Sequence, residues 1–313
     1  MSNNTKKGLI LQIPHIPVLL NEVIDVFSDI DSGYIVDCTV GYGGHSEAIL
    51  KSNPNINLIC IDQDKEAIEF SKKRLAPYKD RVKFINKKFS KAVEEIKGYD
   101  LRGVLADIGV SSLQLDKKDR GFGFDSDVLD MRMNQESDLS AYEVVNHYPQ
   151  SELERIFRDY GEIKSYKKLA NLIVSERLKK PFESAKELSA FIARNMGFSK
   201  LHPATLPFQA IRIEVNKELD ELKNLLKNLK NLNNFNLLVA IISFHSLEDK
   251  IVKATFKKWS QNCICPSGVL RCECGNNNSL GKVVTKKPII PTGEEIDKNP
   301  RSRSSKLRVF RFC

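Results

Sequence analysis

The chain has one tryptophan among 313 residues and no run of about eighteen apolar residues, the length a membrane-spanning helix needs. The N-terminal stretch GLILQIPHIPVLL comes nearest. Gln12, Pro14, His15 and Pro17 interrupt it, and no small-residue cleavage site follows, so neither a signal peptide nor a membrane partner is expected. The cysteines are few and odd in number, seven in all. Without an export signal they point to a reducing compartment, the cytoplasm, where thiols serve as core residues or metal ligands rather than disulfides. Internal repeats and low-complexity tracts are missing too. What is abundant is positive charge: 49 Lys and Arg against 40 Asp and Glu, a net +9. From Lys282 to Cys313 nine basic residues face three acidic ones, so +6 of that surplus sits on the final segment. A polyanion-binding surface and a solvated tail both fit this charge.

Short apolar runs alternate with helical patterns through the first third: GYIVDCTV, NLICID, RVKFI and RGVLADIG, with helices expected from about Ser46 and Lys65 and over KAVEEI. This is the βαβ rhythm of a parallel sheet. The next buried strand, NLLVAIIS, comes more than about a hundred residues later, and the gap holds only helical patterns punctuated by Pro149, Gly161, Pro181 and Gly197. The expectation is an α/β fold, a Rossmann-like sheet in two parts, 1–132 and 205–313, interrupted by a helical domain at 133–204. From Pro207 one helix is expected, with Phe208, Ile211, Val215, Leu219 and Leu222 on one face and a polar stripe of Gln209, Arg212 and Asn216 that lines a cleft or a solvated flank. The closing SKLRVFRF alternates like an edge strand.

Ligands of open parallel sheets bind beyond the carboxyl ends of the strands, and the first such loop reads GYGGHS. Gly41, Gly43 and Gly44 allow positive φ and close backbone approach. Asp62 ends the second strand about twenty residues on, where a carboxylate takes ribose hydroxyls. A dinucleotide fingerprint would require glycine where Ser46 stands. Asp37, at the end of the first strand, would repel a pyrophosphate and accept from an ammonium group. S-adenosylmethionine has the ammonium and the ribose without the phosphates. A tight turn merely shaped by Asp37 and the glycines is the competing reading.

Further blocks, HIPVLLNEV, DIGVSSLQLDKKDRGFGFDSDVLDMRM, HPATLPFQAIRIEVNKEL, ISFHSLEDKIVK and NPRSRSSKLRV, occur in order from His15 to the C-terminus. With GYGGHS they closely resemble the bacterial ribosomal RNA small-subunit methyltransferase H family, the cytosine-N4 methyltransferases also called MraW. The resemblance implies an S-adenosylmethionine-dependent methyltransferase whose partner is 16S rRNA in the small ribosomal subunit, methylated on the exocyclic amine of a P-site cytidine. It further implies cofactor contacts at Gly43, Gly44, His45, Asp62, Phe89, Asp107 and Gln114. A monomer and a homodimer both remain open.

A cytosine amine is a weak nucleophile and needs an acceptor for its proton. Asp107, at the end of the fourth strand, is the first candidate. The tetrapeptide of Asp or Asn, two prolines and an aromatic used by other amino-methyltransferases is replaced here by DIGV, so a purely cofactor-holding role competes. His245 is the second candidate, against a reading in which Ser246 caps the following helix with Asp249 at its third position. Phe122 and Phe124 in RGFGFD suit an extruded base or simple packing. That loop, the inserted helices and Arg301, Arg303 and Arg308 form the expected RNA surface. Finally, CICPSGVLRCEC brings Cys263, Cys265, Cys272 and Cys274 into one loop, which suits either a structural zinc or free thiols.

Overall fold

Five strands, β1 (Gly33–Asp37), β2 (Ile56–Asp62), β3 (Val82–Asn86), β4 (Leu101–Asp107) and β5 (Leu238–Ser243), run parallel. In the computed structural model, which describes residues 16–197, 201–232, 235–266, 268 and 271–313, they join β6 (Gly281–Val283) and β7 (Lys306–Phe312) in one seven-stranded sheet of order β3-β2-β1-β4-β5-β7-β6. Most of the interrupted apolar run and His15 lie outside the described residues. β7 is antiparallel to both neighbours.

Side chains alternate across the sheet with the two-residue period of a strand. Val36, Ile59, Val104, Val239 and Phe310 face a core closed by the helices Phe89–Ile96, Glu218–Leu232 and Ser246–Trp259. Ile35, Leu58, Leu105, Ala240 and Val309 face the opposite core, closed by Leu20–Phe27, Gly44–Ser52 and Lys65–Arg74. Burial on both faces explains why these strands read as continuous apolar runs.

A third core stands apart from the sheet. It gathers Leu153, Ile156 and Phe157 of the helix Gln150–Asp159, Leu169 and Ile173 of Tyr166–Arg177, and Leu188 and Ile192 of Ala185–Met196. Phe122, Met131 and Met133 join it from one side, and Phe208, Ile211 and Val215 from the other.

Two expectations are corrected. SKLRVFRF is an inner strand: β7 lies between β5 and the three-residue β6, which is the edge and is too short to show a pattern. The helix expected from Pro207 breaks at Lys217, which adopts a left-handed φ of 55° between Thr205–Asn216 and Glu218–Leu232. The same apolar stripe therefore serves two cores, Phe208, Ile211 and Val215 filling the helical one while Leu222 packs under the sheet.

Candidate active site

The strand order reverses between β1 and β4, and a crevice opens there beyond the carboxyl ends of the strands. A cavity of about 330 Å³ fills it. Of the residues expected in the site, Gly44, His45, Asp62, Phe89, Asp107 and Gln114 line this cavity. Gly43 does not: it caps the helix Gly44–Ser52 with φ 72° and donates its N–H to the Val40 carbonyl at 2.6 Å. Gly44 is glycine because a Cβ there would stand 2.3 Å from Pro17 Cγ. Gly41, also in the wall, donates to Asp62 Oδ2 at 3.0 Å and so ties the first loop to the end of β2.

Asp37 turns inward. It is 2% exposed, takes the Ser46 hydroxyl at 2.6 Å and the Thr39 N–H at 3.2 Å, and is not part of the wall. Ser46, the residue that breaks the dinucleotide fingerprint, is thus the partner that holds Asp37 in the turn, and the expected contact of Asp37 with an ammonium group is replaced by an internal one. Burial still pushes the Asp37 carboxyl up to about 6, against the bonds from Ser46 and Thr39.

Asp62 carries the same signature. Burial raises it to about 7, opposed by backbone N–H groups of Asp64 and Gly41. Asp64 next to it caps the helix Lys65–Arg74 through Glu66 N, and its other oxygen accepts from Gln114 Nε2 at 3.0 Å and Arg120 at 2.8 Å. Arg120, 2% exposed, also donates to the Arg132 and Met133 carbonyls, both at 3.1 Å. Gln114 is therefore in the wall with its amide already engaged. Arg120 was not legible as a site residue, since its partners are remote in the chain.

The Asp107 carboxyl is placed differently. Its Oδ1 is sealed from water and has no hydrogen-bond partner, and its Oδ2 lies 3.8 Å from His45 Nδ1. His45 Nε2 is anchored on the Val18 carbonyl at 2.8 Å, and burial holds its imidazole down at about 4, so it is neutral near pH 7. Burial, with the Asp37 and Glu248 carboxylates adding to it, pushes Asp107 up to about 8. The 24% of its side chain that stays open to the cavity moderates that shift.

The far wall comes from the helix Thr205–Asn216 and its continuation. Arg212, Asn216 and Glu218 line the cavity, so two of the three residues in the expected polar stripe reach the cleft, while Gln209 donates to the Tyr160 carbonyl. Arg212 pairs with both oxygens of Glu218, at 2.9 and 3.0 Å. Asn216 is spent on Met133 N, Met131 O and Arg212 O. The cap expected from Ser246 is reversed: His245 is the N-cap, Glu248 takes the N–H groups of Phe244 and His245, Ser246 bonds Glu162, and Asp249 pairs with Arg308. That last pair overturns the expectation for Arg308, which is 7% exposed and bound at 2.6 and 3.2 Å. Charge counting could not see its partner. Arg301 is exposed, lines the mouth of the cavity and pairs with Asp116, and Arg303 is exposed. Phe124 stacks on His202, and Phe122 is buried in the helical core.

The sheet order and the position of this cavity define a Rossmann-like α/β protein with its ligand site at the switch point. The chain belongs to the MraW methylase family, whose model matches residues 12–313. A protein of Aliarcobacter butzleri named ribosomal RNA small subunit methyltransferase H is 62% identical over 302 residues, 96% of this chain and 100% of that protein. Proteins of the same name from Nitratiruptor sp. and Campylobacter jejuni are 57% and 54% identical, each over 304 residues, 96% of this chain and 99% and 98% of theirs. The protein is accordingly a methyltransferase. Among the described residues no helix is long and apolar enough to cross a membrane.

Proposed function

We propose that this chain methylates 16S rRNA of the small ribosomal subunit, in the cytoplasm, transferring the methyl group of S-adenosylmethionine to N4 of a P-site cytidine. The rRNA substrate is supported by the names of relatives at 54–62% identity over nearly the whole chain. The residues fit the cofactor. Gly41 and Gly44 leave the loop wall without side chains, Asp62 offers a carboxylate for a ribose, and Phe89 offers an aromatic face beside it. Gly43 shapes that loop, and Gln114 and Asp64 brace it. S-adenosylmethionine supplies an electrophilic methyl on a sulfonium.

The amine lone pair of cytosine is conjugated into its ring, so the protein must position the nitrogen and accept a proton from it. The observation that carries the reading is Asp107 at the end of β4: its carboxyl lines the cavity, with 24% of the side chain open to it, and its inner oxygen Oδ1 has no hydrogen bond that would lock the group in place. Its raised pKa makes it a stronger base than an ordinary carboxylate. The helical unit at about 133–204 serves as the RNA-recognition part, sharing its core with the 122–133 loop, and Arg301 and Arg303 face the strand. Labelled methyl transfer to small subunits from a strain lacking the gene tests the activity. No label on the P-site cytidine would overturn it, and absence of binding heat with S-adenosylhomocysteine would overturn the cofactor.

The four-cysteine loop is read as a structural zinc site. A tetrahedral ZnS4 centre with bonds of about 2.3 Å has sulfur–sulfur edges of about 3.8 Å. The Cys263–Cys272, Cys263–Cys274 and Cys272–Cys274 sulfurs stand 3.7, 3.8 and 3.5 Å apart, and all four thiols, Cys265 included, lie within 4.8 Å of one another. Ile264 N and Glu273 N donate to the Cys274 and Cys265 sulfurs, each at 3.3 Å. Elemental analysis should find one zinc per chain, and none once the four are changed to serine. Metal-free wild-type protein would refute the site.

A further inference from the structure

Glu218, which lines the cavity, meets His245 and Glu248 at the first turns of two different helices, with one ligand atom from each within 4.8 Å of the others. Helix capping accounts for only part of this. Glu248 Oε2 takes the Phe244 and His245 N–H groups at 2.9 and 3.3 Å, which completes its capping duty. Glu248 Oε1 is left over, sealed from solvent without a donor, on a side chain 1% exposed. The His245 ring faces the Glu248 N–H in the capping box, but neither of its sealed nitrogens makes an in-line hydrogen bond, on a side chain 8% exposed. His245 Nε2 lies 3.1 Å from Glu248 Oε1, yet the two are out of line for a hydrogen bond.

A buried carboxylate oxygen and an imidazole without partners are unfavourable unless something satisfies them. We propose that Glu218, His245 and Glu248 bind a divalent cation of the manganese type. The 3.1 Å separation matches the edge of an octahedron with metal–ligand bonds of about 2.2 Å, and a set of two carboxylates and one imidazole suits a first-row ion with oxygen and nitrogen preference. Arg212 donates to both Glu218 oxygens, but each carboxylate oxygen keeps a second lone pair. The charged groups near are Arg212, which interacts with Glu248 as well as Glu218, Asp107, close enough to Glu248 to feel its charge, and Glu162, which bonds Ser246 and interacts with His245. Three protein ligands would leave about three positions for water or a phosphate oxygen, and of the three residues Glu218 lines the cavity.

The test is binding of Mn2+ to chelator-treated full-length protein by calorimetry and electron paramagnetic resonance. Manganese avoids thiolates, so the cysteine loop does not compete. The wild type should bind one ion, with nitrogen hyperfine coupling from a directly bound imidazole. Glu248→Gln preserves the capping oxygen and should weaken binding at least about tenfold. His245→Gln should also abolish the nitrogen coupling. At the same concentration Mn2+ should raise the wild-type Tm more than that of either variant. No binding to the wild type at millimolar Mn2+ would overturn the proposal, as would equal affinity in wild type and Glu248→Gln or a coupling that survives His245→Gln. None of these readouts depends on methyl transfer, so the site and the proposed activity fail independently.

Discussion

The two walls of the cavity differ in how their polar atoms are used. At the loops after β1 and β2, Asp62 and Gln114 in the wall and Asp37 and Asp64 behind it are bonded to Ser46, Gly41, Arg120 and one another. By contrast Asp107 Oδ1 at the end of β4, and Glu248 Oε1 and the His245 ring beside Glu218 of the far wall, are buried without an in-line hydrogen bond. A saturated wall is rigid and holds a fixed shape, as a cofactor site requires. A wall of orphaned acceptors is costly to maintain and is suited to groups that arrive with the substrate or an ion.

The largest effect that sharpens this contrast is on the unsaturated side. Asp107→Asn should lower the rate of methyl transfer by about 10²–10⁴-fold, the range of a lost general base, while the affinity for S-adenosylhomocysteine changes only a few-fold. Equal losses in both would make Asp107 a cofactor residue and erase the distinction between the walls.

On the saturated side the expected loss is in stability. Arg120→Ala leaves Asp64 buried without its ion-pair partner, and urea denaturation should show about 3–5 kcal/mol of destabilisation. Asp107→Asn in the same assay should not destabilise at all at pH 8. If the order of the two variants were reversed, the reading of which wall is structural would be wrong.

The smallest effect is the pH dependence. Asp62 and Asp107 are raised to about 7 and 8, so between pH 6.5 and 8 the folded chain holds protons that the unfolded chain has released. Stability must then fall as pH rises through that window. His45 is lowered to about 4, so its opposing contribution lies mainly below its unfolded pKa of about 6.5. Asp107→Asn removes one of the two terms and should flatten the slope, leaving the variant about 1–3 kcal/mol more stable than wild type at pH 8. An unchanged slope would mean that Asp107 is ionised throughout.

Much of the saturated wall could be read from the chain in order. Gly41, Asp62 and the strand ends follow from local periodicity and from a spacing of about twenty residues, because a βα turn is built from neighbours. Arg120 escaped that reading, since its meaning lies in Asp64, 56 residues away. The C-terminal arginines divide for the same reason: Arg301 and Arg303 are exposed, but Arg308 answers to Asp249 across 59 residues. On the far wall the stripe at Arg212 and Asn216 was visible as a helical period, whereas the joining of Glu218, His245 and Glu248 was not.

The order of apolar and glycine-rich segments alone determined the parallel sheet, the long helical interruption and the loop that lines the cavity, since each depends on residues a turn or a strand apart. The tertiary structure decided that β7 lies inside the sheet, that Asp37 serves the turn, and that a break at Lys217 sends one apolar stripe into two cores. These outcomes rest on which distant side chains meet when the chain is buried, and burial, unlike periodicity, is a property of the folded whole.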